Sequence, residues 1–169
     1  MADEKGRIMA LREIHTIGDE ILNKKCRPVK EMTPRLQTLV DDMLDTMYDA
    51  MGVGLAAPQV GVARRIVVID CSPEGDSPII LVNPEIVELS GEQTGYEGCL
   101  SVPGKSGIVT RAKYCKVKAF DRNMNPIELE GEGLLARAFQ HELAHLEGEL
   151  YVDLVEGDLV SNEELMEEE

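Results

Sequence analysis

The chain has 169 residues and a formal net charge of −15, with 43% hydrophobic and 29% charged residues. This size and composition are typical of one globular domain that needs no disulfide bonds. The acidity argues against a protein that follows nucleic-acid phosphates or that binds a membrane through a polybasic segment. No apolar run reaches the roughly 20 residues of a membrane span, and the first residues do not resemble a signal or transit peptide. We therefore expect a cytoplasmic protein that binds neither DNA nor a membrane.

The first clear element is a helix predicted from about Pro34 to Ala50. Thr33 can cap this helix, Pro34 suits its first position, and Gly52 is placed to end it. Its apolar residues recur at helical spacing and predict one buried stripe: Leu36, Leu39, Val40, Met43, Leu44, Met47 and Met51. We interpret this stripe as core rather than as a methionine-rich binding groove.

The middle of the chain is predicted to form strands. Short β-branched runs indicate strands at residues 66–69 and 79–82. We expect residues 85–89 to pair with the second of these strands across a short turn at Asn83-Pro84. Apolar and charged side chains then alternate on both sides of a polar turn within residues 116–130, which predicts an antiparallel hairpin with one wet face.

A second helix is predicted from about Gly133 to Glu147, ending at Gly148. One of its faces is expected to hold Leu134, Ala138, His141 and His145. Residues 153–169 contain eight acidic residues and no Lys or Arg. We therefore predict a domain over residues 1–155 and a flexible acidic tail over residues 156–169.

The second helix contains the pentapeptide His141-Glu142-Leu143-Ala144-His145, which fits the pattern H-E-x-x-H. Histidines four residues apart lie on one side of a helix, so both imidazoles can bind one metal ion. Such a metal lowers the pKa of bound water from ~15.7 toward ~7. Glu142 is placed to take the released proton and to deliver it later to a leaving amine. The alternative interpretation is a pair of solvated histidines.

Two histidines leave a catalytic metal site incomplete, because such sites normally have three protein ligands. His15 lies in a stretch that offers no reason for ligation, so we expect a surface or structural role. The third ligand could be a cysteine or a carboxylate, and Cys99, which follows a glycine and precedes a polar loop, is modestly favoured by its neighbours. The other three cysteines, Cys26, Cys71 and Cys115, are expected to be inert thiols. Four cysteines without a C-x-x-C motif do not indicate a disulfide framework.

A glycine-rich segment follows the first helix and reads Gly52-Val53-Gly54-Leu55-Ala56-Ala57-Pro58-Gln59. Its glycines permit a ligand to approach the backbone closely, and Gln59 could donate a hydrogen bond to a developing oxyanion. By itself this segment would be interpreted as a turn with an exposed glutamine.

Together the three segments resemble the peptide deformylase family. The family patterns G-x-G-L-A-A-x-Q, E-G-C-L-S and Q-H-E-x-D-H-L-x-G correspond here to residues 52–59, 97–101 and 140–148. The resemblance covers residues 8–155, and three motifs in the same order are highly specific. It implies an α+β fold of one domain, in which antiparallel β-sheets wrap around a central helix that carries the H-E-x-x-H motif.

The resemblance also implies an enzyme that removes the formyl group from the N-terminal formyl-methionine of nascent proteins and releases formate. The implied metal ligands are Cys99, His141 and His145, with Glu142 as the general acid/base. In this family the metal is usually Fe(II), often replaced by Zn, Ni or Co in purified protein. The implied partners are formyl-methionyl nascent peptides, with transient proximity to the ribosome.

Further roles follow from the same resemblance. Gln59 and the backbone N–H of Leu100 would stabilise the oxyanion together with the metal. Backbone groups of Val53 and Gly54 would hold the peptide as an added strand. The methionine side chain would enter an apolar pocket, whose wall we place, from the phase of the helix, at Leu134 and Ala138.

One position departs from the family pattern, because Ala144 stands where the family usually has Asp. An aspartate there would orient the site from outside the metal ligands, so we expect a weaker or slower site and not a dead one. Arg111 is the candidate for its basic partner, left to pair with solvent or with Glu97.

Two alternatives remain open at this stage. H-E-x-x-H alone also permits a small metallopeptidase, although the two companion motifs argue against one. A non-catalytic relative that binds nascent N-termini or metal is the other, and Ala144 is the feature that points to it. The acidic tail makes RNA binding through that segment a poor interpretation.

Overall fold

The computed structural model describes residues 10–167. Residues 1–9 of the predicted domain and residues 168–169 of the predicted tail lie outside them. The helices are α1 (Pro34–Asp49), α2 (Leu134–Leu146) and α3 (Asn162–Glu167). The strands are β1 (Gly54–Ala56), β2 (Ile66–Ile69), β3 (Ile79–Ser90), β4 (Gln93–Cys99), β5 (Val102–Arg111), β6 (Tyr114–Phe120), β7 (Pro126–Glu132) and β8 (Glu156–Ser161). Short 3₁₀ turns occur at Glu20–Asn23, Ala57–Val60 and Tyr151–Leu154. No helix within residues 10–167 is both long and apolar enough to cross a membrane.

Two antiparallel sheets surround α2. The first has the strand order β1-β2-β3-β6-β7, and the second has the order β4-β5-β8. Every residue of β2 is buried because both faces of the first sheet are covered. Val67 and Ile69 belong to the cluster that contains Phe139 of α2, while Ile66 and Val68 belong to the cluster of α1. The α+β architecture with a central motif helix is therefore confirmed.

Helix α1 forms where its sequence pattern predicts it. The Thr33 hydroxyl accepts a hydrogen bond from the Leu36 N–H at 3.2 Å, which caps the first turn. Met43 and Met47 are completely buried in the core, as the stripe predicts. Met51 departs from that prediction, because it lies beyond the helix end with a φ of 57° and is 90% exposed. The helix thus ends before Gly52, the residue expected to end it.

The predicted turn at Asn83-Pro84 is wrong. Strand β3 continues through it, and its second half pairs with β6 instead of folding back on residues 79–82. A shift of register between Val82 and Glu85 marks the position. There the Asn83 side chain accepts from the N–H of Val29 and donates to its C=O, both at 2.7 Å. These long-range bonds join Asn83 to Val29 at the irregular point of the strand, where the local sequence predicts a turn.

The hairpin and the second helix agree with their predictions. Strands β6 and β7 pair in unbroken register from Tyr114 opposite Glu132 to Phe120 opposite Pro126. Helix α2 is followed by Gly148, whose φ is 79°. A Cβ at this glycine would lie 2.6 Å from the carbonyl oxygen of Asn23, so both conformation and space require glycine here.

The acidic C-terminal segment departs from the prediction of a flexible tail from residue 156 onward. Residues 156–161 form β8, which pairs with β5 and extends the second sheet. Residues 162–167 form α3, and Ser106 donates a hydrogen bond to the Asn162 side chain at 2.6 Å. The folded unit therefore continues beyond residue 155.

Candidate active site

Three side chains from distant parts of the chain meet at one point. Cys99 ends β4, and His141 and His145 lie one turn apart on α2. Their potential ligand atoms all lie within 4.8 Å of one another, and Cys99 Sγ is 3.4 Å from His145 Nε2. The structure therefore brings together all three predicted metal ligands. His15 lies elsewhere and pairs with Asp19 at 2.6 Å.

The donor set fits a divalent transition metal. Burial, with a smaller effect of the His141 charge, lowers the pKa of His145 to about 3, so its imidazole is neutral. Burial opposes protonation of His141 too, but the negative charge of Glu142 and hydrogen bonding to Cys99 and Glu97 raise its pKa to about 10. A metal ion bound here would displace the proton from His141, because only the neutral imidazole has a lone pair for the metal. One thiolate and two imidazoles suit Zn²⁺ and Fe²⁺ better than the hard ions Mg²⁺ and Ca²⁺.

Glu97 orients His141. Its carboxylate lies 3.1 Å from His141 Nδ1 and accepts hydrogen bonds of 3.1–3.3 Å from Nε and Nη2 of Arg111. Burial opposes ionisation, but His141 and Arg111 keep the pKa of Glu97 below its ordinary value. A hydrogen bond donated from Nδ1 to Glu97 leaves the lone pair of Nε2 for a metal. The predicted pairing of Arg111 with Glu97 is present.

Arg137 also approaches Glu97 and was not singled out from the sequence. Its Nη1 lies 3.8 Å from Glu97 and donates to the Val109 carbonyl at 3.1 Å. The missed signal was its position four residues before His141, which places both side chains on one side of α2. Tyr151 was missed as well, and its ring centroid lies 5.8 Å from that of His141.

Glu142 is the buried acid of the site. It is 4% exposed, and its Oε1 has no hydrogen-bond partner within the described residues. Burial raises the pKa of Glu142 to about 7, which suits a group that gains and loses a proton near neutral pH. A Cβ at Gly54 would lie 2.5 Å from Glu142 Oε2. The second glycine of the Gly-rich segment therefore makes room for this carboxylate.

Gln59 is buried within the 3₁₀ turn Ala57–Val60, contrary to the exposed glutamine expected from that segment alone. Its Oε1 accepts from the Ala56 N–H at 2.9 Å, and its Nε2 donates to Ser101 Oγ at 3.0 Å. These bonds hold the amide so that Nε2 lies 3.5 Å from Cys99 Sγ. A neutral donor is thus fixed beside the metal ligands.

An open cleft of about 410 Å³ lies in front of these groups. Its lining includes the predicted residues Val53, Gly54, Gln59, Cys99, Leu100, His141 and Glu142. In the described part of the chain β1 pairs with β2 along one edge only, so its other edge is free of strand neighbours. The Val53 carbonyl already accepts one hydrogen bond from the Asp70 N–H at 2.8 Å. Since alternate residues of a strand point to opposite edges, the peptide groups of Gly54 face away from β2.

A smaller pocket of about 130 Å³ adjoins the cleft. Leu134 and Ala138, placed in a pocket wall from helix phase, both line it beside His141 and Glu142. Arg137 borders the same pocket.

The remaining cysteines have no part in this arrangement. Cys26 and Cys115 are buried, and burial raises the pKa of both thiols to about 11. Burial likewise raises the pKa of Cys71 to about 11. These values indicate unreactive thiols at neutral pH.

A partly buried cysteine, two buried histidines, a buried carboxylate and an open cleft are the elements of a metal-dependent hydrolase. The family model for polypeptide deformylase matches residues 11–158. Peptide deformylase of Lachnoclostridium phytofermentans is 66% identical over 151 residues, covering 89% of this chain and 93% of that protein. Peptide deformylase of Agathobacter rectalis is 61% identical over 151 residues, covering 89% of this chain and 94% of that protein. A crystal structure of a peptide deformylase from Legionella pneumophila has a TM-score of 0.84 at 52% identity and covers 87% of each chain.

The chain belongs to the peptide deformylase family. Members of this family are metal-dependent enzymes that remove the N-formyl group from nascent peptides.

Proposed function

We propose that this chain performs that hydrolysis with one metal ion held by Cys99, His141 and His145. The ion in the cell is Fe(II), and Zn, Ni or Co can replace it in purified protein, because all four accept thiolate and imidazole ligands. The observation that carries the proposal is the meeting of three donor atoms within 4.8 Å beside the buried Glu142. When bound, the ion supplies Lewis acidity, which activates water and polarises the formyl carbonyl.

Glu142 moves the proton. With a pKa of about 7 its carboxylate can accept a proton from the attacking water at neutral pH. The unpartnered Oε1 is the atom free to do so. As the C–N bond breaks, Glu142 returns this proton to the amine nitrogen, and formate and the free methionyl amine leave.

Gln59 and Leu100 stabilise the negative charge that develops on the formyl oxygen. Ala56 and Ser101 hold the Gln59 amide in place, and the N–H that points to Cys99 Sγ at 3.5 Å is the donor left for the oxyanion. Leu100, whose backbone N–H is the second donor, follows directly after the ligand Cys99 and borders the same cleft. Two neutral donors favour the transition state without adding a second cation to the site.

The peptide binds along the free edge of β1, through the backbone of Gly54 and of the neighbouring Val53. The methionine side chain enters the pocket of about 130 Å³ bordered by Leu134 and Ala138. Because this pocket lies beside His141 and Glu142, filling it places the formyl group at the reacting side chains. A substrate on nascent chains places the enzyme in the cytoplasm, with transient proximity to the ribosome.

The experiment is formate release from formyl-Met-Ala-Ser by protein purified anaerobically and loaded with Fe(II). We expect release that stops on chelation and returns when Fe(II) or Co(II) is added. Acetyl-Met-Ala-Ser is the matched control and should be a poor substrate. No release from folded, metal-loaded protein would contradict the proposal and favour a non-catalytic relative. Cleavage of an internal peptide bond without formyl dependence would favour a metallopeptidase.

A further inference from the structure

Arg111 has one hydrogen-bonding group that is not used. Its Nε and Nη2 donate to Glu97, whereas Nη1 makes no hydrogen bond within residues 10–167. The side chain is more than nine-tenths buried. Nη1 is not among the buried atoms that lack a partner, so it is accessible from the neighbouring hollows, where a second carboxylate can form a charge-assisted hydrogen bond with it. Ala144 cannot supply such a partner, although the family usually has Asp at this position.

Two hollows meet at this guanidinium group. One has a volume of about 380 Å³ and the other about 290 Å³, and Arg111, Ala144 and Glu149 border both. The Glu149 N–H donates to the Ala144 carbonyl at 3.0 Å, which ties Glu149 beside the position of the missing carboxylate. The Glu149 side chain has no ion pair or hydrogen bond within the described residues.

We propose that Glu149 is a positioning residue that pairs with Arg111 and takes the place of the carboxylate absent at position 144. The pairing requires a rotamer change that turns the Glu149 side chain into the hollow that both residues border. The pair holds Arg111 against Glu97, and Glu97 in turn holds His141. Glu149 thus acts on the metal site through three side chains without contacting a ligand. This inference rests on the metal site proposed above.

Two other carboxylates near Arg111 are weaker candidates. Glu147 already pairs with Arg65 at 2.8 Å. Asp153 borders the smaller hollow but not the larger one. A tethered carboxylate also outcompetes a free anion such as formate, because its effective concentration is high.

The test is a double-mutant cycle between Glu149→Gln and Ala144→Asp, read out as the affinity of the metal-free protein for Co(II). The absorption bands of cobalt bound to thiolate report the geometry of the site independently of activity. We expect Glu149→Gln to weaken Co(II) binding roughly two- to fivefold. In the Ala144→Asp background, Glu149→Gln should have no effect, because the carboxylate introduced at position 144 then occupies the hollow.

Asp153→Asn is the matched control, since it removes one negative charge from the same hollow. An equal loss of affinity in Asp153→Asn and Glu149→Gln would mean a general field effect and would overturn the inference. Independent effects of the two changes in the cycle would do the same. Failure of the unaltered protein to bind Co(II) would instead overturn the proposed metal site itself. Normal Co(II) binding that Glu149→Gln leaves unchanged would overturn only the role of Glu149.

Discussion

The two long helices bury different kinds of side chain. Helix α1 packs Met43, Met47 and other apolar residues against the first sheet. Helix α2 has an apolar face of its own, but it also buries Arg137, His141, Glu142 and His145. Burial of apolar groups is favourable in itself, whereas burial of polar groups is costly unless each finds a partner.

Some buried polar atoms of α2 have no hydrogen-bond partner within the described residues. Two of the three buried side-chain polar atoms without a partner in the described part of the chain belong to it, Glu142 Oε1 and His145 Nδ1. On α1, by contrast, the buried Asp42 accepts from Arg12 at 2.9 Å, and the Thr46 hydroxyl donates to the Asp42 carbonyl at 2.7 Å. The comparison indicates that α1 contributes mainly stability, while α2 gives up stability to hold reactive groups.

The largest expected effect is on activity. Glu142→Gln should lower kcat for formyl-Met-Ala-Ser by about 10²–10⁴-fold, because the amide cannot accept and return the proton. Metal content, measured by elemental analysis, should stay the same. Unchanged formate release would remove the assigned role of Glu142.

The same variant should not destabilise the fold. The pKa of Glu142 is about 7 in the folded protein and 4.5 without burial, so the folded state binds more protons between these values. Stability of the metal-free protein therefore falls as the pH rises from 4.5 to about 7. Glu142→Gln should remove this loss, which urea unfolding at about pH 5 and about pH 8 can measure.

The next effect is on stability alone. Met43→Ala should lower the free energy of unfolding by about 2–5 kcal/mol, because it opens a cavity in a core that is completely buried. Denaturant titration of the metal-free protein measures this loss. Co(II) affinity should be nearly unchanged, and a large loss of affinity would contradict the division between the two helices.

An intermediate effect is expected for Glu97, which holds the predicted metal ligand His141 in place. Glu97→Gln should weaken metal binding roughly 10–100-fold, because it removes the charge that orients His141 and pairs with Arg111. Competition with a chromophoric chelator gives the affinity. Glu88→Gln, an exposed position on β3, is the control and should bind metal like the unaltered protein.

The smallest effect concerns a polar contact that joins α1 to the end of β2. Asp70 accepts a hydrogen bond from the Tyr48 hydroxyl at 2.6 Å. Burial opposes ionisation, but hydrogen bonds from Ser72, Tyr48 and Ser77 keep the pKa of Asp70 below its ordinary value of 3.8. The ionised group therefore stabilises the fold above pH 3.8, and this contribution is lost as the pH falls through the lower pKa of the folded state.

Asp70→Asn should consequently cost about 1–3 kcal/mol of unfolding free energy at about pH 7. The difference from the unaltered protein should shrink below pH 3.8. Urea titrations across this range test the sign. A difference that grows toward acid pH would contradict the assignment.

Much of this arrangement could be predicted from local sequence patterns. The cap at Thr33, the apolar stripe of α1 and the alternation of β6 and β7 all act between near neighbours, so they can be identified along the chain. The spacing of His141 and His145 likewise predicts a shared helix face. Cys99 was only modestly favoured by its neighbours, and the resemblance of three motifs to one family identified it as a ligand.

Other features depended on contacts that no local pattern records. Asn83 continues a strand instead of a turn because its side chain binds Val29, 54 residues away in sequence. Residues 156–161, at the start of the acidic C-terminal segment, form a strand because β5 presents an edge to them.

The sequence by itself determined which side chains can bind a metal and move a proton, because those properties belong to residue type and to spacing within one helix turn. Only the tertiary structure decided which buried groups receive partners. It placed Arg111 and Arg137 around Glu97, and within the described residues it left Glu142 Oε1 without a hydrogen bond. Those outcomes depend on how the two sheets pack around α2. This packing results from many long-range contacts, and no single segment of the sequence determines it.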